Sequence, residues 1–505
     1  MNVVRSWRRK FKIIALAPIL AIFALACWAL ASPVGSSPDD DFHLASIWCA
    51  AGDKANECHT VSDANKRAIP EALGKAGCYA FKPAQSAACQ GTSLDDKQNF
   101  VTTSRGNFEG LYPPLYYRSM NLFVTSNIAV SAVLMRIVNI LLFVGLTTVL
   151  YLLLPVKRRP SLVWGLAVTL VPLGLFLVAS NNPSAWAIIS AGTLWISLVG
   201  YFESSGAKKA GLGAVAAAST VLGAGARADA AGYAVVAIVV AAVLTARLNR
   251  RWLISALLPF GLTVTAVVFY LSAQQSSFAR SGLSGGATPS QAPSWRHLLF
   301  TNFLNVPSLW AGVFGSRGLG WLDTFMPAIV WVGSLGAFAA LVFAGLVSQS
   351  TRKLLAVAIA LGALWLFPTY VMVQSGAVVG SQVQPRYILP LVVLLGGVAL
   401  LQVGGAGLQL SKAQVVVLVA TLSVANATAL HFNMRRYITG TDVTSWNLDT
   451  AAQWWWSIPV SPMTVWAVGS LSFAACLLVI ALGTMRARPG DVVPHPEAAP
   501  VTASQ

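Results

Sequence analysis

Long apolar runs separated by short polar segments extend over most of this chain. A helix needs about 20 mainly apolar residues to cross a hydrocarbon core of about 30 Å, and about twelve of the runs are long enough. The pattern predicts an all-α polytopic membrane protein with transmembrane helices at Ile13–Ala31, Ile137–Leu154, Ser161–Ser180, Ala185–Tyr201, Ala210–Ala226, Ala230–Ala246, Trp252–Leu271, Thr324–Val347, Leu354–Val373, Tyr387–Val403, Ala413–Leu430 and Thr464–Met485. The two helices between residues 210 and 246 are the weakest of these, because they are rich in alanine and glycine.

The composition supports a membrane location. Of the 505 residues, 56% are hydrophobic and only 10% are charged, which is unlike a soluble domain. The formal charge of +17 would suggest a nucleic-acid partner in a soluble protein. Here the basic residues lie in short segments between apolar runs, so membrane topology explains them and we expect no nucleic acid. No Walker-type loop or zinc-ligand spacing is evident, and we assign no cofactor with certainty.

The basic residues orient the predicted helices. If the N-terminus is cytoplasmic, the inner segments carry Arg5, Arg8, Arg9, Lys10, Lys12, Lys157, Arg158, Arg159, Lys208, Lys209, Arg247, Arg250, Arg251, Arg352, Lys353, Lys412, Arg486 and Arg488. This distribution follows the positive-inside rule. We therefore predict a multi-pass protein of a bacterial cell membrane with both termini in the cytoplasm.

Four cysteines lie together in the first polar segment: Cys49, Cys58, Cys78 and Cys89. Such a group predicts two disulfides and therefore an oxidising, extracytoplasmic location, which agrees with the charge-based orientation. Three pairings are open, and free thiols are the alternative.

The chain divides into four regions. They are a cytoplasmic N-terminus with the first helix (1–31), an extracytoplasmic loop 1 (32–118), the remaining helices (119–485) with outer loops at 272–323 and 431–463, and a disordered cytoplasmic tail (486–505). Residues 119–136 have helical spacing and are predicted to lie in the outer interface, with Arg136 at headgroup depth. The first apolar run also resembles a signal peptide cleaved after Ala31, but its length of about 19 residues favours a retained helix.

The unusual polar clusters nearly all fall on the predicted outer side, whereas the inner loops are short and basic. The outer clusters are Asp39-Asp40-Asp41-Phe42-His43, Tyr112-Pro113-Pro114-Leu115-Tyr116-Tyr117-Arg118, Asn181-Asn182-Pro183-Ser184, Arg227-Ala228-Asp229, Gly320-Trp321-Leu322-Asp323, Gln384-Pro385-Arg386-Tyr387 and His431-Phe432-Asn433-Met434-Arg435-Arg436-Tyr437. Charged side chains at membrane depth are costly and therefore indicate function.

Three adjacent acids follow the first apolar run. If a helix begins after Pro38, Asp39 and His43 share one face. Neighbouring carboxylates repel, so we expect one raised pKa, or neutralisation by arginine or by Mg²⁺ or Mn²⁺ on Asp39 and Asp40. A carboxylate placed here can act as a general base on a hydroxyl. Helix capping is the alternative, which we prefer for Asp41 but not for Asp39 and Asp40.

Several outer residues are candidates for binding substrate. Arginine suits bidentate phosphate contact, although snorkelling to headgroups or pairing with a nearby aspartate would also explain these positions. Anchoring in the interface explains most of the outer aromatic residues. We predict substrate or phosphate binding by His43, Tyr116, Tyr117, Arg227, Asp229, Asp323, Arg386, Arg435 and Arg436, and catalysis by Asp39 and Asp40.

The outer face lacks nucleotide sugars, so a group transfer there needs an activated donor from the membrane. A polyprenyl-phosphate sugar fits a site with a carboxylate base, cations for the phosphate and a polar loop for a glycan or lipid acceptor. The acidic pair after the first run, with the long loop ending in Pro113-Pro114-Leu115-Tyr116-Tyr117, resembles the C-type (GT-C) glycosyltransferase superfamily. That resemblance implies a GT-C-like fold, with Asp39 as the base and Asp40 orienting the acceptor or a metal.

The segment Pro38-Asp39-Asp40 followed by His43 also resembles a bacterial family of multipass proteins of unknown function, in which glutamate usually occupies the position of Asp40. The predicted function is an inverting, polyprenyl-phosphate-sugar-dependent glycosyltransferase. A transporter or flippase of an envelope lipid or glycan precursor is the alternative. A transporter needs polar groups through the bilayer midplane, and the predicted spans are nearly free of charge there. A non-catalytic scaffold is a third, less favoured reading.

Overall fold

The computed structural model of the protein describes residues 14–54, 56–91, 94, 99–247, 249–277, 294–347, 349–403 and 410–484. The predicted disordered tail, 486–505, lies outside these residues, as do the basic N-terminal residues up to Lys12. The helices of the first half are α1 (Ala17–Leu30), α2 (Asp40–Trp48), α3 (Glu71–Lys75), α4 (Leu115–Asn121), α5 (Ile128–Leu153), α6 (Arg159–Thr169), α7 (Leu173–Val178), α8 (Ser184–Glu203), α9 (Gly206–Ala226) and α10 (Ala228–Thr245).

The second half is also helical. Its helices are α11 (Arg250–Ser255), α12 (Leu257–Ser272), α13 (Trp295–Asn305), α14 (Pro307–Ala311), α15 (Ala328–Gly345), α16 (Thr351–Gln374), α17 (Pro385–Ala399), α18 (Lys412–Ile438) and α19 (Pro462–Thr484). The described residues contain nine helices long and apolar enough to cross a membrane, counting α11 and α12 as one, or ten if the bent pair after residue 294 is also a span. The structure therefore confirms a helical, multispan architecture but not twelve spans.

A helix break at proline and two short helices account for much of the difference between the twelve predicted spans and the nine or ten that the described residues contain. The predicted span Ser161–Ser180 is divided into α6 and α7, and Pro172 at the break has no N–H to continue a helix. The predicted first and tenth spans correspond to α1 and α17, which have only 14 and 15 residues. A hydropathy pattern detects the apolar run but not where its helix breaks.

The segment predicted as an outer loop, 272–323, contains a bent helix pair. Trp295–Asn305 and Pro307–Ser316 meet at 41°. The bend packs on α16: the Trp365 indole N–H donates to the Phe303 carbonyl (2.8 Å), and the Asn302 amide donates to the Ala377 carbonyl (2.8 Å). Ala377 lies just beyond the C-terminus of α16, so the bent pair packs against the C-terminal half of α16.

Loop 1 has its own fold. Strands β1 (His59–Thr60), β2 (Arg67–Pro70) and β3 (Phe100–Thr103) form an antiparallel sheet in the order β1-β2-β3. Disulfides join Cys49 to Cys58 and Cys78 to Cys89. The prediction of two disulfides in this loop is confirmed, and the structure selects one of the three pairings.

Arg136 lies deeper in the fold than the sequence suggested. Helix α5 begins at Ile128, so Arg136 is two turns inside it rather than at the end of an interfacial segment. The side chain is buried and donates to the carbonyls of Ala29 (2.7 Å), Ser32 (2.6 Å) and Pro33 (2.6 Å). The Ala29 carbonyl belongs to the last turn of α1 and the other two follow the helix, so Arg136 anchors the chain where it leaves α1 for loop 1.

One end of the bundle, which we call the loop 1 end, collects the polar segments. The C-terminus of α1, the N-termini of α5, α8 and α17, and the α9–α10 junction all meet loop 1 there. Asn182, just before α8, donates to the Pro38 carbonyl (2.9 Å), and Arg386, at the start of α17, donates to the same carbonyl (2.8 Å). Segments that are far apart in sequence therefore converge on residues 37–39.

Candidate functional site

Asp39 occupies a left-handed turn immediately before α2. Its φ of 58° and ψ of 26° are uncommon for a residue with a side chain. The turn is held from both sides, since the His43 amide donates to the Asp39 carbonyl (2.9 Å) and Asn182 donates to the Ser37 hydroxyl (3.1 Å). Conformations of this kind occur at functional sites, where the surroundings impose them. The Asp39 side chain remains 34% exposed.

Arg386 binds this turn from the start of α17. Its Nη2 donates to the Asp39 carboxylate and to the Tyr387 hydroxyl (3.1 Å), while its Nη1 donates to the Pro38 carbonyl. The Arg386 side chain is only 2% exposed. A buried guanidinium and a partly exposed carboxylate therefore form an ion pair at the surface of the bundle.

Arg105 approaches Asp39 from loop 1. Its Nε and Nη2 donate to the two carboxylate oxygens of Asp41 (2.8 and 3.0 Å), and Nη2 also lies 3.4 Å from Oδ1 of Asp39. The Arg105 side chain is 53% exposed. Asp39 thus lies between a buried and an exposed guanidinium group, whereas the sequence analysis singled out Asp39 and Arg386 but not Arg105.

Arg227 completes a cluster of cations and aromatic rings. It forms a bidentate pair with Asp229 (2.8 and 2.7 Å). Its guanidinium lies 5.1 Å from the centre of the Tyr387 ring, and the Arg386 guanidinium lies 4.9 Å from the same centre. The Tyr112 ring is 5.5 Å from Arg227. Arg227 and Arg386 therefore both make cation–π contacts with the Tyr387 ring.

The surroundings of Asp39 keep it ionised. Burial raises the pKa of the carboxyl, but the Arg386 guanidinium, with smaller contributions from His43 and Arg105, lowers that pKa to about 2. A carboxylate held in this way is a weak base for as long as Arg386 remains its partner, because base strength falls with pKa.

His43 is a buried, neutral group next to this cluster. Burial lowers its pKa well below the usual value. Its Nδ1 lies 2.9 Å from the Tyr117 hydroxyl, and its ring meets the edge of Tyr112 at 5.6 Å. Among the described residues Nε2 has no hydrogen-bond partner. Burial also raises the pKa of Tyr117, so both groups can exchange hydrogen bonds without carrying charge.

Asp40 has an environment opposite to that of Asp39. The side chain is fully buried, Oδ2 accepts from the Ser37 amide (3.1 Å), and Oδ1 has no partner in the described part of the chain. Burial raises its pKa to about 6, although Arg136 acts in the other direction. Adjacent carboxyl groups with separated pKa values can take different roles in proton transfer.

The pKa of Asp40 predicts a pH dependence of stability. A folded-state pKa above the unfolded value means that the folded protein binds the proton more tightly, so the contribution of Asp40 to stability is greatest below about pH 4 and declines up to about pH 6, by roughly 3 kcal/mol in total. We expect the melting temperature of the wild type to fall over this interval relative to that of Asp40→Asn. Parallel melting curves from pH 4 to pH 7 would contradict this assignment.

The predicted metal site is not assembled by the residues present. Within the described residues, no group of three or more His, Cys, Asp or Glu side chains is close enough to hold a metal ion. Asp39 is engaged by two guanidinium groups, and Asp40 takes a separate backbone partner. We therefore derive no step through a metal ion.

Three predicted binding residues lie in contacts that secure loop 1 and the segment after α18. Arg436 is buried and pairs with Asp323 (2.7 Å), and it also donates to the carbonyls of Gln85 (2.7 Å) and Tyr79 (2.8 Å) in loop 1. Arg435 donates to the carbonyls of residues 445 and 447. Protein groups accept from the Nη atoms of both side chains, whereas each Nε is buried and has no partner among the described residues, and phosphate binding by Arg435 and Arg436 stays a prediction.

The structure therefore separates the predicted residues into groups. It brings together Asp39, His43, Tyr117, Arg227, Asp229 and Arg386. Tyr116 lies behind this group, where its hydroxyl accepts from Asn139 (3.5 Å) and its ring meets the edge of Trp186 at 5.1 Å. Two further aromatic members, Tyr112 and Tyr387, belong to motifs that the sequence analysis noted without assigning them a role.

A known family model covers most of the chain and the whole of this cluster. The model, described as "Predicted membrane protein (DUF2142)", matches residues 22–395, a range that includes Asp39, Arg105, Arg227 and Arg386. No curated protein and no solved structure gives a significant match. The resemblance to the GT-C superfamily therefore stays a prediction, whereas the match over most of the chain places this protein in the DUF2142 family of predicted membrane proteins.

Proposed function

We propose that this protein is a glycosyltransferase that moves a sugar from a polyprenyl-phosphate donor to a glycan or lipid acceptor on the extracytoplasmic face of a bacterial cell membrane. The observation that carries the proposal is the pairing of the partly exposed Asp39 carboxylate with the buried guanidinium of Arg386 at the loop 1 end. A proton acceptor and a phosphate-binding cation thus lie side by side where lipid headgroups would lie.

The two disulfides support an extracytoplasmic orientation of the loop 1 end, because such bonds persist in oxidising compartments. The opposite ends of the helices carry basic residues such as Arg158, Arg250 and Arg352, in agreement with the positive-inside rule. Since nucleotide sugars are absent outside the membrane, a transfer reaction on this face would draw on a lipid-linked donor.

Arg386 and Arg227 supply the chemistry that a phosphate needs. Arginine binds phosphate oxygens through parallel N–H groups, and the guanidinium groups of Arg227 and Arg386 lie 5.1 and 4.9 Å from the centre of the same Tyr387 ring. A phosphate bound between them would leave its polyprenyl chain in the hydrocarbon layer and its sugar beside Asp39.

The proposed reaction is a single displacement. Asp39 accepts the proton of an acceptor hydroxyl as that oxygen bonds to the anomeric carbon of the donor. The bond between the anomeric carbon and the phosphate oxygen breaks, and its electron pair leaves with polyprenyl phosphate. Arg386 and Arg227 stabilise the developing negative charge, an effect worth about 3 kcal/mol for one such donor. One displacement inverts the anomeric configuration.

His43 suits a role in orienting the sugar. Tyr117 holds its Nδ1, and the buried Nε2 has no partner within the described residues. A neutral imidazole can exchange a hydrogen bond with a sugar hydroxyl without adding charge beside Arg386 and Arg227.

A transporter or flippase of an envelope lipid or glycan precursor is the second candidate. The bent helix pair Trp295–Asn305 and Pro307–Ser316 favours it, because broken helices occur at the substrate sites of transporters. The charged cluster is, however, confined to the loop 1 end, whereas a transport path would need polar groups on both sides of the membrane.

A reconstitution experiment separates the two candidates. Purified full-length protein in proteoliposomes is given radiolabelled polyprenyl-phosphate sugars together with envelope glycan acceptors from a deletion strain. We expect label to appear in the glycan and free polyprenyl phosphate to accumulate in equal amounts, with no reaction from nucleotide sugars. Protein-dependent movement of the intact labelled lipid between leaflets, with no glycan product from any donor, would favour the transporter and overturn the transferase.

A further inference from the structure

The Asp39 carboxylate contacts two arginines through different oxygens. Oδ2 accepts from Arg386, whose side chain is 2% exposed, and Oδ1 lies 3.4 Å from Arg105, whose side chain is 53% exposed. One partner belongs to the transmembrane bundle and the other to loop 1. Asp39 therefore has two partners at once, a deep one and a superficial one.

Both Nη groups of Arg386 are occupied while Asp39 is bound. Within the described residues they donate to the Pro38 carbonyl, the Tyr387 hydroxyl and the Asp39 carboxylate, and the remaining donor, Nε, is buried without a partner. Two anions on one guanidinium repel each other strongly where water is scarce. A phosphate that approaches Arg386 must therefore compete with Asp39.

Arg105 is placed to receive the displaced carboxylate. It already binds both oxygens of Asp41, at 2.8 and 3.0 Å, and it follows strand β3 in the disulfide-bonded loop. The 34% exposure of the Asp39 side chain leaves it room to turn towards Arg105.

We propose that Asp39 closes the anion site of Arg386 in the resting protein, and that a lipid phosphate displaces its carboxylate onto Arg105. Arg105 is then a positioning residue, and phosphate binding and release of Asp39 form one event. This inference rests on the proposed function for the nature of the anion. It adds an order to the reaction, because Asp39 leaves the buried Arg386 for the exposed, water-screened Arg105, and so becomes a stronger base, only after the donor has bound.

The proposal is tested by binding without turnover. Full-length protein in phosphatidylcholine nanodiscs is titrated with undecaprenyl phosphate, and undecaprenol serves as the uncharged comparison. We expect Asp39→Asn to bind undecaprenyl phosphate about tenfold more tightly than the wild type, because the competing carboxylate is gone. Asp63→Asn is the matched control: it removes a charge from loop 1 but contacts neither Arg386 nor Arg105, so its affinity should stay within about twofold of the wild type.

Arg105→Gln provides an independent test on an exposed residue. Without its second partner Asp39 stays on Arg386, so undecaprenyl phosphate should bind about threefold or more weakly than to the wild type. In the Asp39→Asn background, Arg105→Gln should not change the affinity for undecaprenyl phosphate, because Arg105 acts only through Asp39. Melting temperatures within a few degrees of the wild type show that each variant is folded.

The outcomes distinguish this inference from the proposed function. If the wild type and Asp39→Asn bind undecaprenyl phosphate equally, and both bind it more tightly than undecaprenol, the displacement is overturned while the phosphate site stands. If undecaprenyl phosphate and undecaprenol bind equally to all variants, the phosphate site and the displacement are both overturned. The displacement is also contradicted if Arg105→Gln weakens undecaprenyl phosphate binding as much in the Asp39→Asn background as it does in the wild type.

Discussion

Asp39→Asn is expected to lower kcat for sugar transfer about a thousandfold, which is within the usual contribution of a general base. Asparagine has nearly the same shape as aspartate and can accept hydrogen bonds from Arg386 and Arg105, but it cannot take the proton of the acceptor hydroxyl. Steady-state transfer from a radiolabelled polyprenyl-phosphate sugar measures the effect. Because the variant should bind the donor more tightly, its donor KM should fall together with kcat.

Asp41→Asn is the control for this prediction. It lies two residues away and shares Arg105 with Asp39, but its carboxylate does not contact Arg386. We expect its kcat to remain within about tenfold of the wild type, since a partly exposed ion pair contributes little. Near-normal kcat for Asp39→Asn at equal protein level would remove this residue from the proton-transfer step.

Arg436→Gln is expected to destabilise the protein by about 4 kcal/mol, because removal of one partner leaves a buried charge without compensation. The Arg436 and Asp323 side chains are 0% and 6% exposed, and the Asp323 carboxylate also accepts from the Phe81 amide (3.1 Å). The variant should melt at a lower temperature, and limited proteolysis should cut loop 1 more readily. Scanning fluorimetry and protease digestion of the purified protein measure both effects.

An exposed ion pair of the same loop provides the comparison. Lys66 and Asp63 are 47% and 46% exposed, so Lys66→Gln should change the stability by less than about 1 kcal/mol. If Arg436→Gln instead raises the donor KM with no change in melting temperature, Arg436 binds phosphate as its sequence position suggested and does not mainly secure loop 1.

The sequence predicted the helical architecture well where apolar runs are long and continuous. Helix α19 and most of α5 follow directly from such runs. The bent pair after residue 294 was not predicted because polar residues such as Arg296, His297 and Asn302 interrupt its apolar pattern. Asn302 finds its acceptor at Ala377, 75 positions further along the chain, and a local pattern does not contain such a partner.

The sequence predicted which end of the bundle carries the site residues, but not which of them contact one another. Orientation by charge placed Asp39, Arg227 and Arg386 at one end of the bundle, and the structure brings them into one cluster. Arg105 carried no signal in the sequence, because its position depends on the sheet and disulfides of loop 1. Arg436 resembled Arg386 in sequence context, and its burial against Asp323 emerges only from the tertiary contact across 113 positions.

If Asp39 acts in the formation of one envelope glycan linkage, that linkage depends on its carboxylate in the cell. Glycan linkage analysis is carried out on a deletion strain complemented with the wild type, Asp39→Asn or Asp41→Asn. We expect deletion to remove one glycosidic linkage, the wild type and Asp41→Asn to restore it, and Asp39→Asn to fail to restore it at matched protein levels. An unchanged linkage profile in the deletion strain, or full restoration by Asp39→Asn, would contradict this role of Asp39.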